Sequence, residues 1–123
     1  MELTIVLKVK RVYDTVPDND GFRILVDRIW PRGMSQAEAE LDLWLKDVAP
    51  SDGLRKWFGH EEERWGKFKD RYHKELGDKE DLVSQITDKM LSGNVTLLFG
   101  ARDREFNNAV ALKEYIEKRQ KRL

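Results

Sequence analysis

Two short apolar runs narrow the folds open to this chain more than any other feature in it. Ile24-Leu25-Val26 and Val95-Thr96-Leu97-Leu98-Phe99 are continuous rather than alternating. The first is followed by Asp27-Arg28 and the second by Gly100-Ala101-Arg102-Asp103. Runs this short, bounded by polar residues and glycine, read as strands covered on both faces. A sheet covered on both faces needs helices to cover it, so the sequence around the runs must supply amphipathic helices.

It supplies several. Between Glu61 and Leu76, the residues Trp65, Phe68, Tyr72 and Leu76 recur at steps of three and four, and Gly77 follows as a stop. His73 falls on the side of this helix read as solvated. Lys79 to Leu91 repeats the pattern through Leu82, Val83, Ile86 and Met90, with Gly93 closing it. Ser35 and Glu38 form a capping box that predicts a short helix to about Leu41. Ser51, just after Ala49-Pro50, is placed to cap another through Trp57. Asp103 reads as the N-cap of a last helix, whose buried stripe holds Phe106, Ala109, Leu112 and Ile116.

Residues 3 to 13 are rich in β-branched side chains, and Ile5, Leu7 and Val9 alternate with Val6, Lys8 and Lys10, which predicts a strand with one face buried. Leu43-Trp44-Leu45 suggests a further short strand, and Asp14 to Gly21 is a loop by composition. The expected architecture is a single-domain layered α/β fold with a small, largely parallel sheet flanked by helices. One pair is left open. The link between the first two strands is about nine residues and helix-free, whereas a parallel crossover usually takes a dozen or more, so an antiparallel pair and a mixed sheet are the alternative.

Composition sets the outer bounds on function. The chain has 123 residues, 40% hydrophobic and 37% charged, enough for one core under a very polar surface. Lysine plus arginine equals aspartate plus glutamate at 23 each, which weighs against a dedicated nucleic-acid binder and leaves room for a local basic patch. There is no cysteine, so disulfides, thiolate metal sites and cysteine nucleophiles are excluded together. With two histidines and no cysteine, no transition-metal site is expected; an aspartate-held magnesium beside a phosphate is not announced by any ligand spacing, and the cofactor is unknown. The first residues begin a strand-like pattern rather than a signal peptide, and no apolar run approaches roughly 20 residues, so a cytoplasmic protein without a membrane span is expected. No P-loop, dinucleotide glycine fingerprint or nucleophile elbow is present.

In open α/β sheets ligands bind outside the carboxyl ends of the strands. Three predicted strand ends are polar: Asp27, Arg28 and Arg32; Lys46, Asp47 and Ser51; and Arg102, Asp103, Asn107 and Asn108. Parallel strands would bring these groups to one edge. The last group surrounds a predicted helix start, where free N–H groups and an adjacent arginine suit a phosphate or carboxylate. His60, in the turn before the long helix, is a second-line proton carrier, and Trp30 can wall a pocket or pack in the core. The competing reading is structural: Asp103 caps a helix, and Arg28 or Arg32 pairs with Asp27 or Asp47 to close the fold.

The run Asp20-Gly21-Phe22-Arg23-Ile24-Leu25-Val26-Asp27-Arg28-Ile29-Trp30-Pro31-Arg32-Gly33 resembles the hallmark of the YeaO-like family of bacterial proteins. So do the run from Leu43 to Ser51, the segment Leu54-Arg55-Lys56-Trp57-Phe58-Gly59-His60, and the stretch from Val95 to Asp103 with Asn107-Asn108-Ala109-Val110. The resemblance covers nearly the whole chain. It implies an α/β fold and points to these positions, and because the family is one of unknown function it implies no reaction.

From the residues themselves, the leading expectation is a protein that binds or acts on a small anionic, phosphorylated or nucleotide-like compound. Arg28, Arg32 and Arg102 would hold the anion, and Asp27 or Asp103 would be the candidate acid or base. Lys46, Ser51, His60, Asn107, Asn108 and Trp30 complete the candidate set. The alternative is a non-catalytic regulatory or nucleic-acid-associated module that grips phosphate and base with its arginines and tryptophans.

Overall fold

The computed structural model describes residues 6–16 and 19–121. The part of the expected first strand that precedes Val6 lies outside the described residues, as does Pro17 of the loop. In chain order the elements are β1 (Leu7–Arg11), β2 (Phe22–Leu25), α1 (Gln36–Ala39), β3 (Leu43–Trp44), α2 (Asp52–Phe58), α3 (Trp65–Gly77), α4 (Glu80–Met90), β4 (Val95–Phe99) and α5 (Asn108–Lys121). Single 3₁₀ turns at Lys46–Val48 and Glu62–Arg64 lead into α2 and α3.

The four strands form one sheet in the order β1-β4-β2-β3, and every pair in it is parallel. The mixed-sheet alternative is therefore corrected. The short link between β1 and β2 does not force them antiparallel, because they are not neighbours: β4 lies between them and pairs with both. The link has only to carry the chain back along strands of four or five residues, and ten residues reach roughly 33 Å when extended.

β4 is buried throughout, as its unbroken apolar run requires. Its alternate side chains meet two separate cores. Val95, Leu97 and Phe99, with Ile24 of β2, face α3, α4 and α5, meeting Phe68, Tyr72, Leu76, Ile86, Leu112 and Ile116. Leu98, with Leu25, faces the opposite side, where a smaller cluster of Val12 and Ala39 is completed by Trp30, Met34 and Leu41. The thinly covered face also holds charge. Asp20 is 1% exposed and pairs with Arg23, with Lys10 at 3.3 Å and with Lys8 at 3.8 Å. Arg23, 4% exposed, also donates to the Ala39 and Glu40 carbonyls at the end of α1. Those carbonyls have no partner inside so short a helix, so the guanidinium both satisfies them and seats α1 on the sheet.

Of the three helix starts marked by a capping residue, two are where the signal puts them. Ser35 and Glu38 make the reciprocal capping box, and the Ser51 hydroxyl accepts from the Leu54 N–H. The last helix starts later than Asp103. Asn107 holds the capping position, its Oδ1 accepting from the Val110 N–H at 3.0 Å. Asp103 instead closes a turn ahead of the helix, accepting from the N–H groups of Glu105 and Phe106. His73 is also corrected: it is half-buried, with Nε2 2.9 Å from the Ala111 carbonyl and its ring against Tyr115, because α5 covers that side of α3.

Gly21 marks the entry to β2. Its φ is +69°, and a Cβ there would stand 2.1 Å from the Asn94 carbonyl oxygen, which accepts from the Phe22 N–H. Gly33 has a similar φ of +75° but open space around it. Gly21→Ala is expected to cost about 3 kcal/mol or more, combining left-handed strain with a backbone clash, and Gly33→Ala about 1 kcal/mol from strain alone. Denaturant unfolding of both variants measures the difference; equal losses would contradict the close approach at Gly21.

Candidate functional site

All four strands point the same way, so their carboxyl ends share one edge, and a cleft opens there. Its floor is built where β2 and β4 end side by side. Asp27 follows β2, and its Oδ2 accepts from the Gly100 N–H, just past β4, at 2.8 Å. Its Oδ1 accepts from the Asn108 side-chain amide at 3.1 Å, and the same amide donates to the Val26 carbonyl at 3.0 Å. One carboxylate thus joins both central strands to the first residue of α5. Asn107 beside it is buried, donating to the Asp103 carbonyl while it caps α5.

One wall is the segment Ala49-Pro50, held from behind by α3 and α4. The Tyr72 hydroxyl donates to the Val48 carbonyl at 2.7 Å, and the Lys79 ammonium donates to the Ala49 carbonyl at 2.9 Å. Arg28 reaches the same carbonyl at 3.5 Å and pairs with Asp47 at 3.4 Å. The opposite wall is the end of α2, with Arg55 and Lys56, and the turn Gly59-His60, both left-handed at φ of 52° and 59°. Histidine enters this region more readily than most side chains, and here the turn brings His60 to the cleft mouth. Phe58, Phe68 and Phe106 form an apolar lining, the first two stacked at 4.4 Å. The cleft is open to solvent and has a volume of about 600 Å³, within the range of small-molecule sites.

Six of the eleven residues singled out from sequence line this cleft: Asp27, Arg28, Arg32, His60, Asn107 and Asn108. The other five do not. Trp30 lies on the far face of the sheet, donating to the Met34 carbonyl and packing edge-on against Trp44. Lys46 is exposed and lies over the Trp44 ring. Ser51 is used up by its cap and by a 2.6 Å bond to Glu75. Arg102 is exposed outside the cleft. Asp103 is occupied by its turn, whose two N–H groups lower its proton affinity, with a smaller pull from His60. Conversely, Arg55 and Lys56 belong to the cleft and were not singled out. They stand in the segment from Leu54 to His60 that carries part of the family resemblance, but nothing local marks their charges as a site, and only packing turns the end of this seven-residue helix toward the strand edge.

The cleft therefore carries four cationic side chains, Arg28, Arg32, Arg55 and Lys56, against one carboxylate, Asp27. Arg55 has an exposed partner in Asp52 at 3.6 Å, while Arg32 and Lys56 make no ion pair among the described residues. Among the described residues no group of three or more potential metal-binding side chains forms, and no helix is long and apolar enough to cross a membrane.

Burial raises the pKa of Asp27, outweighing the opposing bonds from Gly100 and Asn108. An acid whose folded pKa is raised holds its proton more tightly when folded. Its contribution to stability is present below the ordinary aspartate value of 3.8 and is lost as pH rises through the raised folded value. Asp27→Asn abolishes that loss. Relative to the native protein, the variant's unfolding free energy should improve as pH rises from the ordinary aspartate value of 3.8 through the raised folded value and stay level beyond it, whatever its offset. Denaturant unfolding across this range tests the sign; a gap that is constant or moves the other way would show that Asp27 is not destabilised by burial.

Comparison with known proteins places the chain in a family. The family described as the inactive DUF488-N3 subclade matches residues 6–123. The chain is 37% identical over 110 residues to the uncharacterized protein YeaO of Escherichia coli (strain K12), covering 89% of this chain and 96% of that one. It is 46% identical over 77 residues to the uncharacterized proteins Mb3100c of Mycobacterium bovis and Rv3073c of Mycobacterium tuberculosis, covering 63% of this chain and 65% of each of those. No solved structure matches it. Matched over nearly its whole length, the chain belongs to the inactive DUF488-N3 subclade, with YeaO of Escherichia coli among its relatives.

Proposed function

We propose that the protein binds a small anionic molecule, phosphorylated or nucleotide-like, in the cleft at the strand ends. The observation that carries this reading is the charge of the lining: four cations from two distant segments, the stretch after β2 and the end of α2, converge on one concave site whose single carboxylate is already bonded to Gly100 and Asn108. A fold that only needed these charges for solubility would gain nothing by gathering them in a hollow, where like charges repel. Arginine's planar fork supplies paired donors to phosphate or carboxylate oxygens, and the apolar lining lowers the local dielectric and strengthens each contact.

Binding without turnover is the form of this reading that the chemistry favours. Asp27 is tied to the backbone of β4 and to α5, which suits a structural acceptor better than a mobile proton carrier. Asp103 is bound into its turn and does not line the cleft. The family's description as inactive agrees with this assignment.

A thermal-shift screen against inorganic phosphate, pyrophosphate, sugar phosphates and nucleotides, followed by calorimetry, tests the proposal. Arg32→Ala, Arg55→Ala and Lys56→Ala should each weaken a binding anion about tenfold, or about 1.4 kcal/mol, and the native affinity should fall as salt is raised. Lys46→Ala and Arg102→Ala, outside the cleft, should change it less than about twofold. If no anion stabilises the protein, or if all five variants behave alike, the cleft is not an anion site.

A further inference from the structure

The hydrogen-bonding character of the cleft changes from floor to mouth, and this constrains the ligand beyond its charge. Around Asp27, the side-chain amide of Asn108 and the Gly100 N–H are already used. The Gly100 N–H is taken by Asp27 Oδ2, and the Asn108 amide nitrogen gives its two protons to the Val26 carbonyl and to Asp27 Oδ1. Because both neighbours of that nitrogen are pure acceptors, the orientation of the Asn108 amide is settled by the network, and its carbonyl oxygen is the atom left over. Each Asp27 oxygen accepts one of the two bonds it can take. What the Asp27 and Asn108 side chains still offer is acceptor capacity. The Phe58, Phe68 and Phe106 rings line the same cleft, and the exposed Arg32, Arg55 and Lys56 offer donors and positive charge at its solvent side.

We infer that the ligand enters ring-first: a phosphorylated ring compound whose edge far from the phosphate carries N–H donors, as in a nucleoside monophosphate with an amino-bearing base. The N–H edge meets Asp27 and Asn108, the ring lies along Phe58 and Phe106, and the phosphate stays at the mouth among the cations. The reverse orientation sets a phosphate against the Asp27 carboxylate and leaves the mouth cations without an anion, so both ends lose. A phosphate without a ring leaves the apolar wall uncovered, and a ring with only acceptors on its far edge faces acceptors. Burial gives the Asp27 carboxylate a further reason to welcome a donor, since its charge is poorly solvated there.

The inference rests on the proposed anion site, and the experiment separates the two. Calorimetry on the intact protein compares inorganic phosphate, phenyl phosphate, 4-aminophenyl phosphate and 4-nitrophenyl phosphate, which share the anion and differ in the ring and its far edge. The amino compound should bind at least about tenfold more tightly than the nitro compound, with phenyl phosphate between them and inorganic phosphate weakest. In Asp27→Asn the preference for amino over nitro should shrink or vanish, and because the native protein alone yields the ranking, the result does not depend on that variant folding. Equal binding of the three aryl phosphates above inorganic phosphate would keep the anion site and overturn the donor edge. Inorganic phosphate binding as well as the rings would overturn the ring. Failure of all four would remove both the site and the inference.

Discussion

The Asp27 carboxylate is the joint on which the rest of this structure turns. Its two oxygens join the end of β2 to the backbone beyond β4 and to the first residue of α5. Without it, the strand ends would still be paired, since the Val26 N–H donates to Leu98, but the start of α5 would be tied to them only by the Asn108 bond to the Val26 carbonyl and by core packing. The joint is close-fitting: a Cβ on Gly100 would lie 3.3 Å from Asp27 Oδ2, so the glycine keeps the backbone near enough for its N–H to reach. The cost is a carboxylate held where water solvates it poorly, and its raised proton affinity records that cost.

The two faces of the sheet are covered unequally, and this separates the charges that hold the fold from those that line the cleft. α3, α4 and α5 cover one face with a broad apolar core. The other has a small cluster and the Asp20 network, in which Arg23, Lys8 and Lys10 surround one buried carboxylate. Removing one partner from a buried ion pair of this kind typically costs about 3–5 kcal/mol, because the survivor is left without compensation. Those cations are tied to the amino end of the sheet. At the carboxyl end, Arg32 and Lys56 remain unpaired among the described residues. The division leaves the cleft's charges available without loosening the fold.

Local rules carried the helices and the central strand a long way. Val95–Phe99 is the strand its apolar run indicates, and Ser35 and Ser51 cap the helices that follow them. The long amphipathic helix and its successor bury Phe68, Tyr72, Leu76, Val83, Ile86 and Met90, as their spacing requires. These succeed because capping and periodicity depend on neighbours within four residues. Asp103 and Asn107 show the limit: both suit an N-cap, and the choice between them was made by the Asp103 turn and the anchoring of Asn108 on Asp27, 81 residues away in sequence. Ser51, Trp30 and Lys46 look like site residues in sequence, yet α3, the second core and Trp44 claim them.

What the sequence determined by itself was the class of architecture and the short list of polar strand ends, since burial on two faces and helical periodicity are written in consecutive residues. Only the tertiary structure decided that β4 would lie between β1 and β2, making every pair parallel and bringing the carboxyl ends together at one edge. It likewise decided that Arg55 and Lys56 of a short, unmarked helix would join Arg28 and Arg32 around the cleft. Strand order and the aim of a helix end are set by long-range packing, and a chain read locally holds no record of which distant segment will fill the space beside it.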